Sequence, residues 1–407
     1  MPKKIIKPLE GIRVLSIETQ VAGPYCTMML GDAGAEVIKI ESPGRGDASR
    51  EPGPILKDDK GGTISGYFMR WNRNKKSLTL NLKSEEGKKI FSELLKKSDI
   101  ILENLKPGFL TSIGFSYEAI KEINPRLIYV SISGFGVDER YLGPFSKRGA
   151  YDIVIQAMGG LMDLIGYEDG PPLHPMIAFG DVVTGMMTAY AIMLALYKRK
   201  ITGQGDFVDM AMYDVMLSLT ERTLNFYSMT GKIMSRGKES LIYPWGSFKT
   251  KDGYVAIIVL EFKMWKRFCQ AISHPELIED ERFKTASLRS KHKLELEPII
   301  NEWMKDKTSE EVCEIMLEYN VPIGTVNNAE QIFNSAQAKA RKMWMEINDP
   351  VASKIKVVGN PVKMGSVPVE EKAKPVPRLG EHTDEILKEI LNFPAEEINK
   401  LKTNHVV

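Results

Sequence analysis

One carboxylate opens the most apolar stretch of this chain. In PMIAFGDVVTGMM, Asp181 follows Gly180 and is the only charged residue between Gly170 and Lys198. Two chemistries fit that placement. Asp is a good N-cap, worth about 1 kcal/mol to a helix. A carboxylate kept ionised by a helix dipole, yet poorly solvated by apolar neighbours, is instead a competent nucleophile. A second carboxylate, Asp152 in RGAYDIVIQAMGG, follows Tyr151 and the pair Lys147-Arg148. It caps its own helix or, if it stands near Asp181, donates a proton or orients a polar group.

A third candidate is the turn Thr19-Gln20-Val21-Ala22-Gly23-Pro24, which follows an apolar run and opens a helix. Backbone N–H groups at such a junction attract anions. The turn lacks the second and third glycines of a dinucleotide fingerprint. Cations and amides recur where loops leave the strands: Arg45, Asn72 to Lys76, Lys83, Asn104-Leu105-Lys106-Pro107 and Lys147-Arg148. Each alone is solvated surface or an anion contact. Together they suggest an anionic, nucleotide-like ligand without fixing a reaction. Tyr67, Met69, Trp71, Met158 and Trp245 line a pocket or pack a core.

These residues need a scaffold, and the hydrophobic pattern supplies one. Apolar runs at 12–18, 36–40, 77–82, 99–103, 127–133 and 206–210 alternate with helical periods at 24–34, 84–97, 107–123, 151–162 and 181–198. That alternation predicts an α/β chain with a doubly wound, mostly parallel sheet. Past 230 the texture changes to a hairpin at 245–260, turning at Lys251-Asp252-Gly253, and then to polar helices. We therefore expect a large Rossmann-like domain from residues 1–230 and 326–407, and a small α+β domain from 231–325.

Composition removes several classes. With 407 residues, 43% apolar and 27% charged, the chain is ordinary and globular. Lys and Arg number 55 against 53 Asp and Glu, giving +2, too little for counterion-release binding to nucleic acid. Cys26, Cys269 and Cys313 lack CxxC spacing, and with five scattered His they suggest no metal site and a reducing, cytoplasmic setting. The apolar run 182–197 is interrupted by Thr and Gly and falls short of the roughly 18 residues of a membrane span, so we expect a buried core helix and no membrane partner.

Taken in order, LEGIRVLSIE, AGPYCTMMLGDAGAEVIKIE, GRGDASR, NRNKKSLTLNLKSEEGKKIF, SDIILENLKPGFL, NPRLIYVSISGFG, GAYDIVIQAMGGLM, FGDVVTGM, GQGDFVDMAMYD and PRLGEHTDEIL resemble the class III (family III) CoA-transferases. The superfamily also holds formyl-CoA:oxalate and carnitine CoA-transferases and 2-methylacyl-CoA racemases. The resemblance implies coenzyme A or acyl-CoA as substrate, no tightly bound cofactor, and an interlocked-ring homodimer. It makes Asp181 the nucleophile and Asp152 a supporting group. Thr19, Gln20, Val21 and Ala22 match the loop that contacts CoA, and Lys83 and Asn104 match further contacts. Arg45, Leu105, Lys106, Lys147, Arg148 and Tyr151 complete the expected CoA-binding set.

The chain departs from that pattern in places. Family arginines are replaced by Ser42 and Ser112, and 225–260 lacks the glycine-rich loop of oxalate-type members. In racemases a histidine precedes the upstream Asp. Tyr151 stands there instead, and a phenol is a poor partner for reversible proton abstraction near neutral pH. The resemblance thus favours acyl-CoA:carboxylate CoA transfer through aspartyl anhydride and aspartyl-CoA thioester intermediates. A racemase or epimerase, and a non-catalytic CoA-binding protein, are the alternatives.

Overall fold

Six short runs, most of them carrying Val or Ile, build one parallel sheet in the computed structural model, which describes residues 6–234, 236–237 and 242–407. The strands are β1 (Arg13–Ile17), β2 (Glu36–Glu41), β3 (Lys75–Thr79), β4 (Ile100–Glu103), β5 (Ile128–Ser133) and β6 (Phe207–Ala211). They lie side by side as β3-β2-β1-β4-β5-β6, and every neighbouring pair is parallel. β4 and β5 are buried along their whole length, as strands covered on both faces must be. Strand order reverses between β1 and β4, which opens a crevice at their carboxyl ends.

Successive residues of one strand feed opposite cores. Val14 joins Ile100, Val130, Cys26 and Ile192 on one face. Leu15 joins Ile38, Leu78, Phe91 and Ile101 on the other. The first face is covered by α1 (Ala22–Asp32), α3 (Asp152–Met158), α4 (Phe179–Thr202) and α5 (Met212–Leu219). The second is covered by α2 (Glu85–Lys96) and by two late helices, α6 (Thr383–Glu389) and α7 (Ala395–Thr403). The Ser84 hydroxyl accepts from the Gly87 amide at 3.0 Å and starts α2, as its N-cap position predicts.

The chain divides into two compact units. One comprises residues up to 165 with 172–232 and 339–407, and the other comprises 166–171 with 233–338. Within the second, an antiparallel sheet of Trp245–Lys249, Tyr254–Ile258 and Ile323–Thr325 packs with helices around Trp265, Phe268, Ile300 and Val312. The expected boundary at 325/326 therefore moves to 338/339. Residues 326–338 carry the short helix Ala329–Asn334 and the start of Ala336–Ala340, whereas the chain beyond forms the strands Trp344–Asp349 and Ser353–Val358.

Two elements differ from the sequence reading. The run 77–82 is strand only to Thr79, because the chain turns at Asn81, where Ser84 N–H donates to its carbonyl. Leu80 and Leu82 keep the alternation going because both still bury into the core below the turn. The helix expected from Asp181 to Lys198 spans 24 residues and is long and apolar enough to cross a membrane by length and composition. It is not wholly buried. Gly180, Thr184, Gly185, Thr188, Ala189, Ile192 and Ala195 form the inner stripe, while Met186, Met187, Tyr190, Met193, Leu194 and Tyr197 are exposed. The interrupting Gly and Thr residues are the ones that face inward.

Candidate active site

Asp181 is the third residue of α4, not its N-cap. That position belongs to Ala178, which makes no side-chain cap. The cap comes from another helix: Asp152 Oδ1 accepts from the amides of Gly180 at 2.7 Å and Asp181 at 3.2 Å. Asp152 does not cap its own helix either, since it is the first residue of α3. Both capping expectations are thereby corrected by one long-range contact. Glycine at 180 permits it, because a Cβ there would lie 3.1 Å from Asp152 Oδ1 and 3.3 Å from Met216 Cε.

The other Asp152 oxygen accepts from Gln156 Nε2 at 2.5 Å and lies 3.5 Å from His174 Nε2. Gln156, fully buried, also donates to the Ile177 carbonyl at 3.1 Å, tying the segment before α4 to α3. No hydrogen bond or ion pair reaches the Asp181 carboxylate from the described residues. Burial, and then the charge of Asp152, pushes its pKa up to about 7. A carboxylate of that kind is more basic and less solvated than a surface Asp, and so better suited to attack a carbonyl carbon.

The turn after β1 is held from behind. Asn104 accepts from the Thr19 amide at 2.8 Å and donates to the Thr19 carbonyl at 2.9 Å. Asp47 Oδ1 accepts from the Thr19 hydroxyl at 2.7 Å. Gln20 adopts φ 64°, a left-handed conformation uncommon for a residue with a side chain. The turn delivers α1 onto α4: a Cβ at Gly185 would lie 2.8 Å from the Ala22 carbonyl. Gly185 is one turn along from Asp181, so the loop at 19–22 runs from the sheet crevice to the base of the candidate nucleophile.

A buried ionic network underlies this turn. Lys39 Nζ donates to Asp47 Oδ2 at 2.7 Å and to the Glu18 carbonyl at 3.0 Å. Lys75 Nζ donates to Glu18 Oε1 at 2.8 Å, and Arg50 clasps both oxygens of Glu41. Burial alone would raise the Asp47 carboxyl, yet the Lys39 ammonium holds it well below the usual carboxylate range. Burial pushes Lys75 down to about 8, against the opposing pull of Glu18. Such pairs are well hydrogen-bonded, which is what makes buried charge tolerable.

At the carboxyl ends of β1, β2 and β4 lies a cleft of about 800 Å³ lined by Thr19, Ser42, Lys83, Leu105, Lys106 and His405, among others. Of the residues singled out from sequence, Thr19, Lys83, Leu105 and Lys106 face it, and Asn104 braces it. Val21 and Ala22 are buried. Arg45 is exposed, 3.6 Å from Glu51. Lys147, Arg148 and Tyr151 are exposed on the segment before α3, with Arg148 over the Phe145 ring. Ser112 lines a different cleft of about 820 Å³ beside Glu103. Tyr67 is within electrostatic reach of Asp181, Met69 is core, and Trp71 packs edge-on against Tyr25. Met158 is partly exposed, and Trp245 belongs to the smaller unit.

Sequence reading missed Gln156, His174, Lys39, Asp47 and His405. Only Lys39 left a signal: a lone cation inside the strand EVIKIE, where both neighbours are Ile. Among the described residues no group of three or more His, Cys, Asp or Glu is arranged to hold a metal.

Residues 9–383 match the description of CoA-transferase family III. The chain belongs to CoA-transferase family III. It is 38% identical to the succinyl-CoA:glutarate CoA-transferase of Mus musculus, over 99% of this chain and 91% of that one. It is 37% identical to the succinyl-CoA:mesaconate CoA-transferase of Haloarcula marismortui, over 94% and 96%. The crystal structure of a CAIB/BAIF family protein from Brucella suis superposes with a TM-score of 0.83 at 33% identity, covering 94% of this chain and 99% of that one. As a family III enzyme it is a CoA-transferase, with CoA thioesters as substrates, and its six-stranded parallel sheet is that of its structural relatives.

Proposed function

We propose that Asp181 is the nucleophile of an acyl-CoA:carboxylate CoA exchange. The observation that carries this reading is a carboxylate at the start of α4, raised toward neutral pKa by burial and free of hydrogen-bond partners among the described residues. An Asp181 oxygen attacks the thioester carbonyl, and CoA leaves as thiolate, giving an acyl-aspartyl anhydride. The thiolate attacks the aspartyl carbonyl, releasing the donor as a free carboxylate and leaving an aspartyl-CoA thioester. The acceptor carboxylate then displaces the thiolate to form a new anhydride. Thiolate attack at the acceptor's carbonyl yields the new acyl-CoA and restores Asp181. One thioester is exchanged for another, and covalent attachment divides a hard step into easier ones.

The cleft and the loop at 19–22 are the proposed seat of CoA. Succinyl-CoA as donor and five-carbon dicarboxylates as acceptors are the first substrates to try, by analogy with the names of the relatives. The exposed apolar face of α4 suits burial against a second copy, consistent with the expected interlocked homodimer, and the three unpaired cysteines accord with a reducing cytoplasm. Incubation with succinyl-CoA followed by hydroxylamine or borohydride should modify Asp181. An unmodified Asp181 peptide from enzyme that is turning over would refute the scheme.

One observation favours a second reading. His174 stands 3.5 Å from Asp152, so a histidine and an aspartate do share this region, as two-base proton exchange at an α-carbon requires. Deuterium uptake from solvent into a 2-methylacyl-CoA, without any acceptor acid and without CoA exchange, would establish that reading in place of transfer.

A further inference from the structure

The cleft at the carboxyl ends of β1, β2 and β4 has an apolar floor and a cationic rim, and the rim includes a residue from the far end of the described sequence. Ile17, Ile40, Leu82 and Phe109 form the floor. Three carboxylates also line it, but each is already matched by a cation: Glu18 by buried Lys75, Asp47 by buried Lys39, and Glu41 by Arg50. Lys83, Lys106 and His405 face the same space. Their side chains make no hydrogen bond or ion pair with any described residue.

His405 is placed there by the fold. After α7 the chain reverses: Val406 N–H donates to the Leu401 carbonyl at 2.9 Å, and the Val406 carbonyl accepts from the Asn81 amide at 2.8 Å. The Val406 side chain is buried in the core beneath β3. His405 itself takes φ 53°, the left-handed turn that leaves its imidazole on the cleft side. The same Asn81 accepts from the Lys83 amide through its side chain at 3.1 Å, so one residue fixes both Lys83 and the segment carrying His405.

We propose that His405, with Lys83 and Lys106, binds a phosphate group of coenzyme A, and that residues 404–407 are thereby a wall of the CoA site. This rests on the reading of the cleft as the CoA seat. An apolar floor suits a purine ring, and three unpaired donors on a rim whose carboxylates are all neutralised suit a phosphate oxyanion. The phosphate is either the ribose 3′-phosphate or the diphosphate, and two ligands separate them.

The test is calorimetric titration of the full chain with CoA and with 3′-dephospho-CoA. His405→Ala should weaken CoA about tenfold, the loss of one charge-assisted contact, and His405→Lys should recover most of that. If the ribose 3′-phosphate is the partner, 3′-dephospho-CoA will bind wild type and His405→Ala alike. If the diphosphate is the partner, both ligands will weaken together. Lys83→Met serves as a parallel variant and should weaken CoA in the same sense. Unchanged affinity of both ligands for His405→Ala would overturn the assignment of His405 while leaving the CoA seat standing. Failure of wild type to bind either ligand would overturn both.

Discussion

Asp152 Oδ1 accepts from the amides of Gly180 and Asp181, so the group that closes the start of α4 is also the charge that, after burial, lifts the Asp181 carboxyl. One side chain fixes the position of the proposed nucleophile and adds to the basicity that burial gives it.

The two roles of Asp152 separate by substitution. Asp152→Asn keeps an acceptor for the amides but removes the charge, so the pH midpoint of exchange should move toward acid. Asp152→Ala removes both, destabilising the fold by about 1 kcal/mol as a lost cap and lowering exchange further than Asn does. A pH–rate profile of Asp152→Asn superimposable on wild type would mean that burial alone governs Asp181.

Asp181 should impose a pH dependence on rate and on stability with opposite signs. Exchange needs the carboxylate, so kcat/KM should rise with pH and level off above about 7. For folding, a raised native pKa means the contribution is present at low pH, below the unfolded value, and is lost as pH climbs through about 7. Asp181→Asn removes the ionisation and should therefore stabilise the protein at pH 8, by up to about 4 kcal/mol, with little change at pH 4. Because Asp181 is not the N-cap, no capping loss offsets this. Thermal melts at the two pH values decide it, and exchange by the Asn variant should be lower by several orders of magnitude.

Asn104 grips Thr19 at both its amide and its carbonyl. Asn104→Ala leaves both backbone groups without that partner, costing about 1–3 kcal/mol and loosening the turn that approaches CoA. KM for acyl-CoA should rise about tenfold, equivalent to about 1.4 kcal/mol. Asn104→Asp should not rescue it, since a carboxylate cannot donate to the carbonyl. An unaltered KM with reduced stability would assign Asn104 to folding only.

Gly185 has no room for a side chain against the Ala22 carbonyl, 2.8 Å from its would-be Cβ. Gly185→Ala should push α1 and α4 apart and destabilise by about 1–3 kcal/mol, as overpacking does. The displacement reaches Asp181 one turn away, so kcat should fall more than KM changes. A melting temperature equal to wild type would show that the helices separate freely.

The sheet was legible because its strands alternate with helices in a regular rhythm, and burial on both faces demands the largely apolar runs at 100–103 and 128–133. Asp181 was legible as the one charge in an apolar stretch. What it touches was not. Asp152 reads locally as a cap of its own helix, and only tertiary packing turns it onto a helix 28 residues later. Lys39 with Asp47, and Val406 with Asn81, are likewise pairs that no local periodicity encodes. The outer face of α4 misled because apolar residues on every side ordinarily mean full burial, whereas in one chain only the stripe of small residues is covered.

The covering of β3 bears on the order in which the molecule is made. The Ser77 amide donates to His382 Nδ1, the Ser77 carbonyl accepts from the His382 amide, and the Thr79 amide donates to the Thr383 hydroxyl. About three hundred residues separate the partners. During synthesis this strand therefore emerges early and stays an open edge, the kind prone to wrong pairing, until residues 380–406 leave the ribosome. Since 233–338 are translated in between, the smaller unit is complete before the larger one can close. A nascent chain halted near residue 340 would hold a finished insert inside an unfinished host, with Asn81 still waiting for Val406.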